Sequence, residues 1–596
     1  MEASSLFTAW AQLLVRSLEE LGLSHVVISP GSRSTPLTWA LTQSARIGHS
    51  IVIDERSAAF TALGRAKYTG KPCALLCTSG SAAANYLPAI VESSQSHTPL
   101  LVITADRPFE LQQRGAPQTI DQVKLYGGFV RDYFDLGMPD ESLAALRSLR
   151  STIAQAFRRT VEPTPGPVQI NFRARKPLEP TTISDPTVQE RMNLACRDPL
   201  PALIPSLHCA APQAIQRLAA RLGKAQRGVI TIGPQNLYQE GLTEALTRIL
   251  QVSNFSVLCE STGQLRHGPI HETLNARLCD AFDWFFATST GRTQPPDFVL
   301  QIGPSPTSGS WQEILSRVDE LELHVVSDHS LQDPSARAQS VILGSVVHSF
   351  NALATTLDAP PRAPSAWHTQ LARANTRLWE VIDAELSQAQ KRTSLSEAVA
   401  VRAVFDQLPT GALLALGNSL PVREIDQYVP ASSKPVRVIS QRGANGIDGV
   451  LSGAIGAAAT HPGPALCLLG DISYLHDIGA LWAARSLKGP FVVAVLNNQG
   501  GRIFEQLPLL RSNAVNEQVA AAWLTPHQLD LGAGAALYGL HSVRVSTLAD
   551  LNTALSDALR APQVTVMDIR VDPSSAQKMR DSLLASCEAA LKTLLA

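Results

Sequence analysis

The stretch 465–501 constrains the fold more than any other. Its apolar run 465–469 stops at Gly470-Asp471, and a second apolar run, 491–496, stops at Asn497-Asn498. Between them Ile478, Leu481, Trp482 and Leu487 recur at helical spacing, and Gly489-Pro490 closes the helix. Two short apolar runs flanking one amphipathic helix predict a strand, a helix and a second strand parallel to the first. Strands joined in this way end on the same edge of the sheet, where open α/β sheets bind ligands. Asp471 and Asn498 are therefore expected side by side. A carboxylate and an amide oxygen suit a hard cation such as Mg²⁺, which takes few protein ligands and completes its shell from phosphate and water. Gly500 and Gly501 permit close backbone approach, and a free carbonyl there makes a third ligand. The competing reading is a plain strand–helix–strand unit in which Asp471 caps the helix.

The same alternation recurs along the chain. A helix over 6–21 ends at Gly22; strands at 25–29, 50–53, 73–78 and 99–104 then alternate with helices near 35–43, 56–69 and 80–95. A proline-rich stretch, 176–215, reads as a linker. A second block has strands near 228–232, 297–302 and 323–327, and Pro360, Pro361 and Pro364 close it. The third block runs from about 395 and finishes with a strand near 563–571 and a helix from about 575. The expected fold class is α/β, with three doubly wound parallel-sheet domains over 1–185, 205–360 and 390–596. Three blocks of similar size suggest an old triplication, without a sequence repeat to prove it.

Composition removes several function classes. A net charge of −1 leaves no basic footprint for nucleic acid. No apolar run approaches the roughly 20 residues of a membrane helix. The opening MEASSLFTAWAQLL has no basic region before its apolar residues, so no signal peptide is expected. Eight cysteines lack metal-site spacing and read as free thiols in a reducing cytoplasm.

The strand-end loops carry the chemistry. In Ser29-Pro30-Gly31-Ser32-Arg33-Ser34 the hydroxyls, N–H groups and Arg33 suit a carboxylate or phosphate at a helix N-terminus, or else form a simple turn and cap. Glu55, in Asp54-Glu55-Arg56 at the end of a strand read as buried, is either catalytic or a helix cap. Arg107 follows another strand and Gln118 lies in the next loop; the alternatives are a surface ion pair and a solvated amide. The third block adds Ser419, with Arg423 four residues on, and the glycine-rich 441–449 loop with Arg442. Arg33, Arg107, Arg423 and Arg442 together suit a substrate with more than one carboxylate, which arginine binds in fork geometry.

A Gly-Asp pair followed about thirty residues on by Asn-Asn resembles the diphosphate–metal motif of thiamine diphosphate enzymes, with Ile472 where the usual form has Gly. The stretches PGSRSTP, DERSAAFTALGRAK, TADRP, GAPQTIDQ, GNSLPVREID, RGANGIDG and GDIS…NNQGGRIF, in this order, resemble the MenD family. These are the 2-succinyl-5-enolpyruvyl-6-hydroxy-3-cyclohexene-1-carboxylate synthases of menaquinone biosynthesis, whose own motif also lacks that glycine. The resemblance implies a transferase that decarboxylates 2-oxoglutarate on thiamine diphosphate and adds the succinyl carbanion to isochorismate. It implies that Asp471, Asn498 and the Gly500 carbonyl hold Mg²⁺ or Mn²⁺, that Glu55 faces N1′ of the aminopyrimidine, and that Ile447 props the bent cofactor. Ser32, Arg33, Arg107, Gln118, Ser419, Arg423 and Arg442 resemble the substrate-binding set, with Phe504 beside it. A cytoplasmic homodimer or homotetramer is implied, with Glu55 and Asp471 of one site coming from different chains.

Two departures stand out. Pro117 occupies a position where some members have Asn, and Gly309 and Ser310 stand where relatives often carry basic residues. The alternatives to this synthase are another thiamine diphosphate-dependent 2-oxo acid decarboxylase or carboligase, and a non-catalytic diphosphate-binding protein.

Overall fold

Every paired strand in the computed structural model runs parallel to its neighbour. The structure describes residues 3–595 apart from 184, 203, 205, 237–240, 275–276, 358–363 and 513–514. The first sheet comprises β1 (His25–Ile28), β2 (Gly48–Ile51), β3 (Cys73–Cys77), β4 (Leu100–Asp106), β5 (Asp132–Asp135) and β6 (Pro167–Arg173). The second comprises β7 (Gly228–Ile232), β8 (Ser256–Cys259), β9 (Phe298–Ile302), β10 (Glu322–Ser327) and β11 (Ala338–Leu343). The third comprises β12 (Leu413–Leu416), β13 (Arg437–Ser440), β14 (Ala465–Gly470), β15 (Phe491–Asn497), β16 (His541–Val545) and β17 (Val564–Arg570).

The strand orders are β2-β1-β3-β4-β6-β5, β11-β10-β9-β7-β8 and β13-β12-β14-β15-β17-β16. Counted from the first strand of each sheet, the outer two share one order, and the middle sheet repeats its 2-1-3-4 core. In that order the chain reverses direction across the sheet between its first and third strands. Ligands of open α/β sheets lie outside the C-terminal ends at such a point. It falls between β1 and β3 in the first sheet and between β12 and β14 in the third.

By contact the chain forms two compact units. One contains 1–206, 441–462 and 476–488; the other contains 207–440, 463–475 and 489–596. In the first unit the Ala3–Glu20 and Leu143–Val161 helices bury Trp10, Leu14, Leu18, Leu149 and Ile153 with the strand residues Val26, Leu76 and Ile103. The first unit also holds a glycine-lined crossing of the Glu55–Thr69 and Val450–Ala458 helices. A Cβ on Gly64 would lie 1.9 Å from the Gly453 carbonyl oxygen, and one on Gly456 would lie 1.9 Å from that of Thr61. In the second unit one apolar core runs from the middle sheet to the third, through Trp284, Trp311, Leu378, Val404, Leu414 and Leu583.

Several details differ from the sequence-based expectation. The strand read as buried near 50–53 is β2, an edge strand over Gly48–Ile51. Val52 is buried, but Ile51 and Ile53 are exposed. The helix expected between β14 and β15 starts at Asp471 and breaks into Asp471–His476, Ile478–Ala480 and Leu481–Ala484. The proline-rich stretch read as a linker contains the Pro186–Ala195 helix, which packs Val188, Met192 and Ala195 into the first core. Pro205, Pro360 and Pro361 lie outside the described residues. All eight cysteines are free. Among the described residues, no helix is long and apolar enough to cross a membrane.

Candidate active site

In the first unit four strand-end loops line one sheet edge. After β1, a Cβ on Gly31 would lie 2.3 Å from Thr78 Cβ, so only glycine lets this loop lie against the one after β3. Arg33, in this loop, is 3% exposed; its backbone N–H donates to Thr78 Oγ1 and its Nη1 to the Ala174 carbonyl, while its buried Nε has no partner. Ser32 beside it is exposed. After β4, Arg107 is half-buried and its Nε reaches the Gln118 carbonyl at 3.5 Å. That carbonyl also accepts from Ser79 Oγ at 3.0 Å, so Gln118, exposed at φ 51°, is drawn to the same edge.

The choice between helix cap and free carboxylate after β2 is resolved by Asp54. Asp54 caps the Glu55–Thr69 helix, accepting from the N–H groups of Arg56 and Ser57 at 2.9 and 3.4 Å. Glu55 is the first helical residue, half-buried, and its carboxylate takes no hydrogen bond or ion pair from any described residue.

The 441–449 loop belongs to the same unit. Buried Glu92 anchors it, accepting from the N–H groups of Gly443 and Ala444 at 2.9 and 2.6 Å and from Lys67 Nζ at 2.8 Å. Gly449 presses on Phe60 at φ 66°, where a Cβ would lie 1.9 Å from Phe60 Cγ. The loop carries Arg442 and Ile447, both half-buried, and Phe60 lies on the helix that begins at Glu55.

The second unit holds the other cluster. Gly470 pairs with Leu496, so Asp471 and Asn498 leave neighbouring strand ends. Asp471 is 1% exposed; its Oδ1 accepts from Ile472 N–H at 2.7 Å and its Oδ2 from Gly500 N–H at 2.9 Å. Burial raises the Asp471 pKa, against those N–H groups and the nearby His527 ring. His527 Nε2 lies 3.2 Å from Asp471 Oδ2, within ion-pair range of a protonated ring but not angled for a hydrogen bond. Asn498, 4% exposed, donates through Nδ2 to both Glu397 oxygens at 3.2 and 3.0 Å, and its buried Oδ1 has no partner among the described residues. Gly500 takes φ 144°, and a Cβ there would lie 2.3 Å from the Leu524 carbonyl oxygen.

Ser419 after β12 takes φ 77°, a conformation that non-glycine residues rarely adopt. Its carbonyl accepts from Arg423 Nη1 at 2.6 Å. Burial lowers the Arg423 pKa, and the carboxylates of Glu260 and Asp283 oppose that shift. Ser310 donates to the Asp283 carboxylate and carbonyl, both at 2.8 Å. Phe504 is 38% exposed in the short Arg502–Gln506 turn.

Sequence reasoning missed Glu92, Glu397, Glu424 and His527. Each is far along the chain from the residue it serves; Glu424 lies inside the GNSLPVREID stretch, and the other three sit in no recognisable motif. Glu397 is pushed up to about 7, chiefly by burial, and Glu424, hydrogen-bonded to it, stands well above the usual carboxylate range.

These residues fit a diphosphate-bound cation. Asn498 Oδ1 is a buried oxygen with no partner, Asp471 supplies charge, and the Gly500 backbone comes close because no side chain intervenes. No group of three or more His, Cys, Asp and Glu converges among the described residues. A cation here would take the Asp471 carboxylate, an amide oxygen, a backbone carbonyl and phosphate oxygens, as Mg²⁺ does.

Residues 8–125 match the family described as "Thiamine pyrophosphate enzyme, N-terminal TPP binding domain", and residues 422–569 match "Thiamine pyrophosphate enzyme, C-terminal TPP binding domain". Fold, strand-end site and these matches define a thiamine diphosphate-dependent enzyme. Three relatives are each named 2-succinyl-5-enolpyruvyl-6-hydroxy-3-cyclohexene-1-carboxylate synthase. That of Sorangium cellulosum is 39% identical, covering 96% of this chain and 94% of its own length. That of Haloarcula marismortui is 34% identical over 98% of each chain, and that of Geobacillus kaustophilus 36% over 96% of each. The chain belongs to this synthase family.

Proposed function

We propose that the chain decarboxylates 2-oxoglutarate and joins the succinyl unit to isochorismate, giving 2-succinyl-5-enolpyruvyl-6-hydroxy-3-cyclohexene-1-carboxylate and CO₂ in menaquinone biosynthesis. The observation that carries the reading is the β14–β15 edge, where buried Asp471 and the unpartnered Asn498 oxygen leave adjacent strands in a chain of this family. When bound, thiamine diphosphate supplies the nucleophilic carbon and the electron sink that loss of CO₂ requires. The chain supplies binding, orientation and proton control. Asp471, Asn498 Oδ1 and the Gly500 carbonyl hold Mg²⁺ or Mn²⁺ against the diphosphate. Glu55, left free by the Asp54 cap, holds a proton at N1′ of the aminopyrimidine. Ile447 would pack against the bound cofactor. Ser32, Arg33, Arg107, Gln118, Ser419, Arg423 and Arg442 bind the carboxylates and hydroxyls of the two substrates, with Phe504 beside them. Each arginine bonded to one carbonyl retains further N–H donors for a substrate carboxylate.

We also infer three domains, 1–185, 205–360 and 390–596, since each range holds one whole sheet. The working form is a homodimer or homotetramer in the cytoplasm.

The test supplies 2-oxoglutarate with and without isochorismate and identifies the product by mass and NMR. The six-membered-ring adduct is expected only when both are present, with pyruvate a poor donor because it lacks the distal carboxylate. If pyruvate matches 2-oxoglutarate, or simple aldehydes replace isochorismate without loss, the chain is a general 2-oxo acid carboligase instead.

A further inference from the structure

We propose that Glu397 is a positioning residue that locks the Asn498 side chain with its oxygen, not its nitrogen, toward the cation. The inference rests on the metal reading above and concerns a residue outside the ligand set. A side-chain amide is nearly symmetric in shape, and only its hydrogen-bond partners decide which end faces where. Asn498 Nδ2 donates to both oxygens of Glu397, at 3.2 and 3.0 Å. In its ionised form Glu397 only accepts, so the flipped amide would set oxygen against oxygen in a buried site. Glu397 is 1% exposed and Asn498 4%, so water offers no alternative partner. The consequence is that Oδ1 is presented with no partner of its own.

Glu397 is itself held firmly. It opens the Glu397–Gln407 helix, which Ser396 caps through the Val399 N–H at 3.3 Å. Its own N–H donates to Ser575 Oγ at 3.1 Å, and Glu424 hydrogen-bonds its carboxylate. The Asn498 carbonyl accepts from Arg502 Nε at 3.2 Å, which fixes the other end of the residue. The neighbouring amide follows the same rule. Asn497 Nδ2 donates to Asp568 at 2.7 Å, and its Oδ1 faces the Gln499 N–H at 3.3 Å. Two successive amides are thus each oriented by one buried carboxylate on the nitrogen side.

The test is Mn²⁺ affinity with saturating thiamine diphosphate, read by electron paramagnetic resonance, on four variants of the full chain. Glu397→Gln is isosteric, but its amide can meet either end of Asn498, so Mn²⁺ affinity is expected to fall about tenfold or more. Asn498→Asp alone sets a second carboxylate against Glu397, and affinity should also fall, although a carboxylate is ordinarily a good ligand for a hard cation. Glu397→Gln combined with Asn498→Asp restores a donor–acceptor pair and should bind more tightly than either single variant. A purely structural role for Glu397 does not produce that rescue.

Wild-type affinity in Glu397→Gln, or no rescue in the double variant, overturns the proposal. Should Glu397→Gln fail to fold, Asn498→Asp decides alone: tighter binding overturns the proposal and weaker binding supports it. Asp471→Ala is the control for the reading beneath. If it retains Mn²⁺, the metal site itself is wrong; if it loses Mn²⁺ while Glu397→Gln does not, only the role of Glu397 falls.

Discussion

Asp54 and Glu55 are adjacent carboxylates with different tasks, and substitution separates them. Asp54 satisfies two N–H groups at the start of the Glu55–Thr69 helix. Losing such a cap costs about 0.5–2 kcal/mol, so Asp54→Ala should lower the thermal midpoint measurably. The Glu55 carboxylate takes no hydrogen bond from any described residue, so Glu55→Gln should leave stability within about 0.5 kcal/mol of wild type. The same variant should still bind thiamine diphosphate but lose hydrogen–deuterium exchange at the cofactor's C2, followed by NMR. A neutral amide cannot support the protonated N1′ as a carboxylate does. Wild-type exchange in Glu55→Gln would remove Glu55 from the chemistry and leave it an ordinary first-turn residue.

Among the elements, the crossing of the Glu55–Thr69 and Val450–Ala458 helices has the least room for change. One helix begins at Glu55, and the other follows the loop that carries Arg442 and Ile447. The backbones touch at Gly64–Gly453 and Gly456–Thr61, so an added methyl has no space. Gly64→Ala should cost about 1–3 kcal/mol by overpacking. Differential scanning calorimetry should show a clear fall in midpoint, whereas Gly128→Ala, where nothing lies within 4 Å of the added Cβ, should be near neutral. Equal midpoints would mean that the helices can slide apart at little cost. None of this contact was visible in the sequence, where Gly64 simply falls inside the helix expected near 56–69. The strands missed in the sequence share a different cause. β6, PVQINFR, is wholly buried yet carries Gln169 and Asn171, which broke the apolar run. Both amide nitrogens find partners inside: Gln169 donates to the Gln122 carbonyl, and Asn171 donates to Asp106, although Gln169 Oε1 has no partner among the described residues. β5 and β11 are short edge strands, exposed enough to carry polar residues. Central strands such as β3, β4 and β15, covered on both faces, were legible because burial leaves only apolar choices.

At the scale of the whole molecule, the outer two sheets share a strand order, and the middle sheet its 2-1-3-4 core, that the sequence never displays as a repeat. Topology survives substitution because it depends on alternation of strand and helix, not on particular side chains. The candidate site was legible to the extent that motifs sit at strand ends; its supporting carboxylates were not, because hydrogen bonds between distant residues leave no pattern along the chain. Glu55 belongs to one compact unit and Asp471 to the other, and the proposed function requires both at one thiamine diphosphate. We propose that the two come from different subunits of the proposed oligomer. Glu55→Gln and Asp471→Ala should each be inactive alone. Mixed under conditions that allow subunit exchange, they form hybrids in which one site carries both substitutions and the other carries neither. Random pairing at equal amounts should then restore about a quarter of wild-type activity, since half the dimers are hybrids with one intact site each. Activity assayed against mixing ratio should peak at equal proportions. If exchange is verified by native mass spectrometry and no activity returns at any ratio, each site is built from a single chain.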